Sequence, residues 1–306
     1  MIVLFSGGTG TPKLLQGLIE LVPQEEISVV VNTAEDCWLP HGYFSPDVDT
    51  VLYTLSGLID DEVWHGIKGD TFFTHRQLLA LGHDEVLNIG DRDRATHIYR
   101  GALMRRGLRL SETIEILRKT LGVRGRVYPM SDDPVETVIS TPEKDMGLHE
   151  FWVEKKGSPT VTGITIRDAE KATPTPGVVD AILSADGIII GPSNPVSSIL
   201  PIISIPPIRK ALKARKNRVA VSPVIGRKPV SGPADKFMKA LGFEPTSRGT
   251  AELYEGLVDH FVVDIRDEEL YLEETEVYRT DTIMNNLEKK RALAEFLLGI
   301  LNISYH

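Results

Sequence analysis

A glycine-rich loop near the start of the chain has the residue types that hold a phosphate group. It reads Ser6-Gly7-Gly8-Thr9-Gly10-Thr11-Pro12-Lys13 and lies between an apolar run and apolar residues at helical spacing. Backbone N–H groups at a helix start attract such an anion, and glycine lets the backbone approach it closely. Lys13 replaces the third glycine of the dinucleotide pattern, and Pro12 replaces the last glycine of the P-loop. The sequence therefore favours a phosphate cradle outside the standard NAD class, with a simple tight turn as the alternative.

Two carboxylates, Asp47 and Asp49, begin a predicted helix after a polar loop that contains Asn32, Asp36 and His41. Asp47 can serve as the helix N-cap, which is a purely structural role. Asp49 is less easily explained in that way. It can bind Mg²⁺, accept the proton of a substrate hydroxyl, or hydrogen-bond a heterocycle. The residues alone leave these three roles open.

Two further charged segments have structural explanations as well as chemical ones. The first is Asn88-Ile89-Gly90-Asp91-Arg92-Asp93-Arg94-Ala95-Thr96-His97, in which Asp91 can be an N-cap. Its arginines suit a polyphosphate, and solvated charge pairs along a helix are the alternative. The second is Met130-Ser131-Asp132-Asp133-Pro134, which taken alone is more typical of a turn than of a metal site.

The loop after the most apolar predicted strand is the strongest candidate from residue types alone. It reads Gly191-Pro192-Ser193-Asn194-Pro195-Val196-Ser197-Ser198. Two prolines and a glycine make the loop rigid, and its serines and asparagine supply small polar groups. Because open α/β sheets bind ligands at the carboxyl ends of their strands, we expect a ligand here. A later loop brings Arg227 and Lys228 close to a predicted helix start and suggests anion capture.

The composition excludes several classes of protein. The chain has 306 residues, of which 42% are hydrophobic and 25% charged, and these values exclude disordered and fibrous classes. Its 34 Lys and Arg against 43 Asp and Glu give a net charge of −9, which excludes a general nucleic-acid partner. The single cysteine, Cys37, excludes a disulfide framework. No run of 18 apolar residues and no signal peptide is evident, so we expect a cytoplasmic protein without a membrane partner.

The alternation of strand and helix patterns predicts an α/β fold, a Rossmann-like parallel sheet flanked by helices. We expect a single domain over residues 1–306. It contains a mostly helical insertion at about 47–122 and a small extended, β-rich excursion at about 126–167. Within the excursion, strands are predicted at 135–140, 149–153 and 160–167. The chain ends in a predicted helix at 285–298.

Six spaced motifs follow one another along nearly the whole chain. They are Ser6-Gly7-Gly8-Thr9-Gly10, Asp47-Val48-Asp49, Asn88-Ile89-Gly90-Asp91-Arg92-Asp93, Pro129-Met130-Ser131-Asp132-Asp133, Gly191-Pro192-Ser193-Asn194-Pro195 and Gly232-Pro233-Ala234. In this order they resemble the 2-phospho-L-lactate transferase family of deazaflavin coenzyme (F-420) biosynthesis. Asp281-Thr282 with Met284 is also similar to the family pattern.

The resemblance implies a Rossmann-like core and a Mg²⁺-dependent phosphotransferase. The donor would be lactyl-2-diphospho-5′-guanosine or an enolpyruvyl relative, and the acceptor would be the ribityl hydroxyl of the deazaflavin FO. The products would be the phospholactyl-deazaflavin and GMP. A homodimer is also expected, because such folds are commonly dimeric.

The resemblance also assigns residues. It implies that Asp49 is catalytic. The deazaflavin side would comprise Asp49, Asn88, Asn32, Asp47 and Ser131. The donor nucleotide and its phosphates would be bound by Gly7, Gly8, Thr9, Gly10, Gly191, Ser193, Asn194 and Arg92. Asp49 and Asp47 would hold the metal. Many relatives carry arginine where this chain has Asn88, so this position departs from the family.

Two other functions are weighed against this one. The same motifs resemble a broader family that includes a non-catalytic, nucleotide-sugar-binding regulatory protein. A nicotinamide dehydrogenase is the other alternative. The missing third glycine argues against it, and so does Asn32-Thr33 where the ribose-binding acid is expected.

Overall fold

The computed structural model of the protein describes residues 1–83, 85–226, 228–229 and 233–304, with only the backbone described at 228–229. Arg227, Gly232 and the side chain of Lys228, named above, lie outside this part of the chain. The strands are β1 (Ile2–Ser6), β2 (Ile27–Val31), β3 (Cys37–Leu39), β4 (Gly42–Phe44), β5 (Arg126–Pro129), β6 (Glu136–Ser140), β7 (Asp145–Gly147), β8 (Gly163–Arg167), β9 (Gly187–Ile190), β10 (Arg218–Val221), β11 (Val224–Ile225), β12 (Lys228–Pro229), β13 (His260–Asp264) and β14 (Glu276–Thr280).

The helices come from all parts of the chain, and none in the described part is long and apolar enough to cross a bilayer. They are α1 (Gly10–Leu18), α2 (Pro46–Leu55), α3 (Phe73–Ala80), α4 (Asp91–Arg105), α5 (Leu110–Thr120), α6 (Val178–Ser184), α7 (Leu200–Ile203), α8 (Pro206–Lys213), α9 (Ala234–Ala240), α10 (Ser247–Leu253) and α11 (Leu287–Ile300). A 3₁₀ turn covers Gln24–Glu26, and π-helical turns cover Glu150–Glu154 and Pro195–Ile199.

A seven-stranded sheet forms the core, in the order β14-β13-β10-β9-β1-β2-β5, and every pair in it is parallel. β1, β2, β9 and β10 are buried along their whole length because helices cover both faces. The predicted Rossmann-like α/β fold is confirmed. The strand order reverses between β1 and β9, and such a switch point opens a crevice at the carboxyl ends of its strands.

Helices α2 to α5 fall in the predicted helical insertion, and two of them cap each other. The carboxylate of Asp70 accepts hydrogen bonds from the first N–H groups of α4 at 3.0–3.1 Å. The carboxylate of Asp91 accepts hydrogen bonds from N–H groups at the start of α3, both at 2.9 Å. Asp91 therefore caps the neighbouring helix rather than its own. This exchange fixes α3 against α4.

The β-rich excursion forms a separate antiparallel sheet in the order β7-β6-β8. The strand predicted at 149–153 is wrong, because the chain makes the π-helical turn Glu150–Glu154 there and the strand lies earlier, at β7. Leu148 and Phe151 are both buried at helical spacing, and Phe151 packs on Phe237 with ring centroids 5.6 Å apart. Apolar spacing that fits a strand equally well caused the error.

Candidate functional site

Two adjoining cavities of about 400 and 590 Å³ open at the switch point of the sheet. The first, here the glycine-loop cavity, is lined by Gly8, Thr9, Gly10 and Asn194 among others. The second, here the helical cavity, is lined by Asp49, Asn88 and other residues of the helical insertion. Both are lined by Phe44, Pro46, Thr50, His65, Leu87, Trp152 and Val153, so they form one continuous cleft.

The loops after β1 and β9 build the floor of the glycine-loop cavity by locking together. The hydroxyl of Ser193 donates a hydrogen bond to the carbonyl of Gly7, and the N–H of Thr11 donates to the Ser193 hydroxyl at 3.2 Å. A Cβ atom at Gly10 would lie 1.9 Å from the carbonyl oxygen of Pro192, so only glycine fits there. Ser193 therefore supports the cavity from behind, whereas the neighbouring Asn194 lines it.

Asp47 holds the glycine loop rather than capping its own helix. Its carboxylate accepts hydrogen bonds from the N–H of Gly8 at 2.6 Å and from the amide group of Asn32 at 2.9 Å. The N-cap position of α2 is Ser45. The N–H that would meet a phosphate in the sequence-based prediction thus already faces a carboxylate.

The glycine-loop cavity is acidic. Asp47 and Glu35 line it, and among the described residues no lysine or arginine does. Burial raises the pKa of Asp47 to about 6, against an ordinary value of 3.8. Burial, followed by the charges of Asp47 and Asp36, raises the pKa of Glu35 well above its usual range. Carboxylate oxygens are the ligands that a hard divalent cation takes in proteins, and neither carboxylate has a lysine or arginine partner among the described residues. Asp47 and Glu35 therefore fit Mg²⁺.

Asp49 lies in a different electrostatic setting. Its carboxylate forms an ion pair with the fully buried guanidinium of Arg100, with one contact at 3.1 Å, and lies 3.4 Å from Nε2 of His97. Burial alone would raise the pKa of Asp49, but the charges of Arg100 and His97 hold it below its ordinary value. Burial opposes the charged form of His97, yet Asp49 and Asp93 raise its pKa to about 9.

Asp49, Asp93 and His97 place one ligand atom each within 4.8 Å of one another, which is a possible metal trio. Arg100 already occupies the Asp49 carboxylate, and His97 carries its own proton at neutral pH. A metal would have to displace both charges. Asp47 and Glu35 therefore suit a cation better than the trio that contains Asp49.

The other residues named from the sequence lie in several places. Asn88 is exposed and lines the helical cavity, and Asn32 is buried beneath Asp47. Gly191 is buried, and a Cβ atom there would meet Thr11. Ser131 is buried and donates a hydrogen bond to the carbonyl of Thr173 at 2.6 Å, and Arg92 is exposed. Ser131 and Arg92 are not among the described residues that line either cavity, so the geometry does not bring them into the cleft.

Sequence reasoning missed the residues that enclose the cleft. Glu85 anchors the segment 85–90, because its buried carboxylate accepts hydrogen bonds from Arg94 at 2.8 and 2.6 Å and lies 2.8 Å from Nδ1 of His75. Trp152 reaches both cavities from the excursion, and Trp64 lines the glycine-loop cavity. No local pattern identifies these residues, since each depends on partners from another part of the chain.

The sheet and its cleft define a Rossmann-like α/β protein with two adjoining ligand compartments. The sequence model of the family described as 2-phospho-L-lactate transferase CofD matches residues 2–296. The curated 2-phospho-L-lactate transferase of Methanosarcina mazei is 48% identical over 97% of this chain and 99% of its own length. That of Methanopyrus kandleri is 51% identical over 98% of this chain and 97% of its own length. The chain therefore belongs to the 2-phospho-L-lactate transferase family and is a transferase, as the resemblance predicted.

A solved structure shares the fold. A UPF0052-family protein from Bacillus halodurans superposes with a TM-score of 0.63 over 97% of this chain and 98% of that chain, at 18% sequence identity. The similarity shows that the Rossmann-like architecture extends to distant sequences.

Proposed function

We propose that the protein transfers a 2-phospholactyl or enolpyruvyl-phosphate group from a guanosine-diphosphate-linked donor to the ribityl hydroxyl of FO and releases GMP. Family membership over almost the whole chain supports the transfer of 2-phospho-L-lactate. The observation that carries the two-substrate reaction is the continuous cleft, in which one compartment has a phosphate-type loop and the other has apolar walls. A cytoplasmic homodimer belongs to the same proposal.

The two compartments suit the two substrates. The glycine-loop cavity would take the diphosphate of the donor, close to Gly8 and Asn194. The helical cavity has apolar walls from residues such as Phe44, Ile67 and Phe72, which suit a flat aromatic ring. Its volume of about 590 Å³ fits a small organic molecule. The reacting groups would meet at the shared wall near Thr50.

Magnesium is part of the proposal. Asp47 and Glu35 would hold the ion, which supplies positive charge beside the diphosphate when bound. Without a cation, a diphosphate would face two carboxylates in a cavity that has no lysine or arginine among its described lining residues. This excess of negative charge supports the proposal that the donor binds together with a metal.

The reaction is a substitution at phosphorus. The FO hydroxyl oxygen forms a bond to the phosphorus attached to lactate, and the hydroxyl proton is released to solvent. The bond from that phosphorus to the GMP oxygen breaks, and GMP leaves with the electron pair. Because Asp49 has a lowered pKa, it stays ionised and orients the hydroxyl by accepting its hydrogen bond. Positioning and charge neutralisation supply most of the catalysis in such transfers.

The direct test mixes purified protein, FO, donor and Mg²⁺. GMP and a deazaflavin heavier by one phospholactyl or enolpyruvyl-phosphate group are the expected products, and each omission should abolish both. Thermal-shift measurements with GDP, a UDP-sugar and FO provide the second arm. Stabilisation by the UDP-sugar alone, with no GMP formed, would instead support the nucleotide-sugar-binding regulatory protein.

Metal binding and stability are expected to depend on pH through Asp47. Its folded pKa of about 6 lies above its ordinary value of 3.8, so the metal-free protein should lose stability as pH rises through this interval. Mg²⁺ should offset this loss above pH 6, because it needs the ionised carboxylate. Unfolding temperatures from pH 4 to pH 8, with and without Mg²⁺, check both effects. The Asp47→Asn variant should show neither the loss of stability that comes from ionising Asp47 nor its reversal by Mg²⁺.

A further inference from the structure

Two lysines meet over the ring of Trp64 at the edge of the glycine-loop cavity. The Nζ atom of Lys13 lies 5.4 Å from the ring centroid, and that of Lys290 lies 4.4 Å from it. Lys13 is in the first turn of α1, and Lys290 is in the first turn of α11. Both helices follow strands of the sheet and begin at its carboxyl edge, where the cleft opens. The ring itself lines the glycine-loop cavity.

Trp64 is held in an unusual backbone conformation. Its φ is 61°, in the left-handed region that non-glycine residues rarely adopt, and only 7% of its surface is exposed. The ring packs with Tyr53, Ile59 and Ile67 in a small apolar cluster. Backbone strain of this kind persists where the surrounding structure fixes it, and it is concentrated at ligand-binding sites.

The two ammonium groups have no acidic partner among the described residues. In the described part of the chain, neither lies within 4 Å of a carboxylate. The Lys290 Nζ donates a hydrogen bond to the side-chain oxygen of Gln16 at 2.7 Å. Asp61 is the acid that acts on Lys290 from a distance, and it pairs with Lys68 at 2.9 Å. Among the described residues, the ammonium group of Lys13 contacts only the face of the Trp64 ring.

Burial lowers the pKa of Lys13. Burial also lowers the pKa of Lys290; the charge of Asp61 opposes this shift, and the charge of Lys13 adds to it. A partly buried cation beside a second cation is unfavourable unless an anion joins them. Lys290 is satisfied in part by Gln16, so the unexplained group is Lys13. The nearby glycine-loop cavity has an excess of negative charge, because its described lining includes Asp47 and Glu35 but no lysine or arginine.

We propose that Lys13 is a binding residue for the diphosphate of the donor. Its flexible side chain would take its ammonium group from the Trp64 ring to a phosphate oxygen on the side of the diphosphate opposite Asp47 and Glu35. Lysine suits this role because it is a compact point charge on a flexible stem. Trp64 and Lys290 set its starting position, the first by attraction to the ring and the second by repulsion. The inference rests on the proposed placement of the donor in the glycine-loop cavity.

The test measures binding of GDP in the presence of Mg²⁺ by titration calorimetry, with no acceptor present. Lys13→Gln should weaken binding at least ~10-fold, as expected for a charge-assisted contact, and Lys13→Arg should retain part of the affinity. Lys289→Gln is the matched control, because it makes the same charge change beside Lys290 at a residue paired with Asp281 at 2.9 Å. That control should stay within about twofold of the wild type.

Affinity within twofold of the wild type in a folded Lys13→Gln variant would overturn the inference. If that variant does not fold, Lys13→Met replaces it, since methionine keeps an apolar stem against Trp64. Inorganic pyrophosphate separates this inference from the proposed function. If the wild type binds pyrophosphate but not GDP, the guanosine donor is wrong. In that case the Lys13→Gln variant is titrated with pyrophosphate. Loss of pyrophosphate binding would support the role of Lys13, and unchanged binding would overturn it.

Discussion

Replacing Asp47 with asparagine is expected to lower turnover at least ~100-fold without lowering the temperature of thermal unfolding at pH 7. The Asp47 carboxylate is 5% exposed and accepts two hydrogen bonds, from Gly8 and Asn32, but has no basic partner among the described residues. Its pKa, raised by burial to about 6, means that ionising this carboxyl group costs more in the folded protein than in the unfolded chain, and that cost lowers stability at pH 7. Asparagine removes that charge and with it the proposed metal ligand. Its single side-chain oxygen can accept only one of the two hydrogen bonds, and this loss offsets the relief of the buried charge, so turnover should fall while the unfolding temperature is maintained.

Steady-state rates at saturating Mg²⁺ and differential scanning calorimetry at pH 7 provide the two measurements. Asp267→Asn is the matched control. Asp267 is also a buried carboxylate, 7% exposed, that accepts hydrogen bonds from Gly226 and Ser247, and it lines neither cavity of the cleft. Turnover of the control should stay within about threefold of the wild type. An Asp47→Asn enzyme with turnover within tenfold of the wild type would remove Asp47 from the catalytic site.

The fold could be predicted from the sequence where strands are buried on both faces. β1, β2, β9 and β10 are short, continuous apolar runs that alternate with helical patterns, and this combination predicts a parallel sheet. The elements that the sequence did not reveal are partly exposed. β14 closes one edge of the sheet with only partial burial, and the hairpin of β3 and β4 is also only partly buried. Such segments carry no clear apolar period.

The candidate site was predictable in position but not in electrostatics. The sequence predicts ligand binding at the loop after β9, because parallel strands end at one edge of the sheet, and that loop meets the glycine-rich loop after β1 through Ser193. The sequence could not show that Asp47 contacts Gly8, 39 residues away, or that Asp49 pairs with Arg100, 51 residues away. Burial raises the pKa of Asp47 despite its hydrogen bonds from Asn32 and Gly8, whereas the charge of Arg100 lowers the pKa of Asp49 against the effect of burial. Two aspartates at i and i+2 therefore have different properties that no local pattern distinguishes.

Asp49 should show a pattern unlike that of Asp47. Asp49→Asn is expected to reduce turnover at least ~100-fold and also to destabilise the fold by about 3–5 kcal/mol. The reason is Arg100, whose guanidinium is completely buried and would lose the carboxylate that compensates its charge. His97 would also lose one of the two carboxylates that raise its pKa to about 9. Chemical denaturation and steady-state kinetics measure the two losses.

The double variant Asp49→Asn with Arg100→Met separates these contributions. Methionine fills much of the volume of the arginine side chain without its charge, so no uncompensated cation remains beside position 49, and most of the lost stability should return. Turnover should not return, because the carboxylate that orients the acceptor hydroxyl is still missing. Recovery of both stability and turnover would show that Asp49 acts only by compensating Arg100. Recovery of stability alone would assign the carboxylate a direct part in the reaction, since the ion pair would then account for the folding energy and not for the rate.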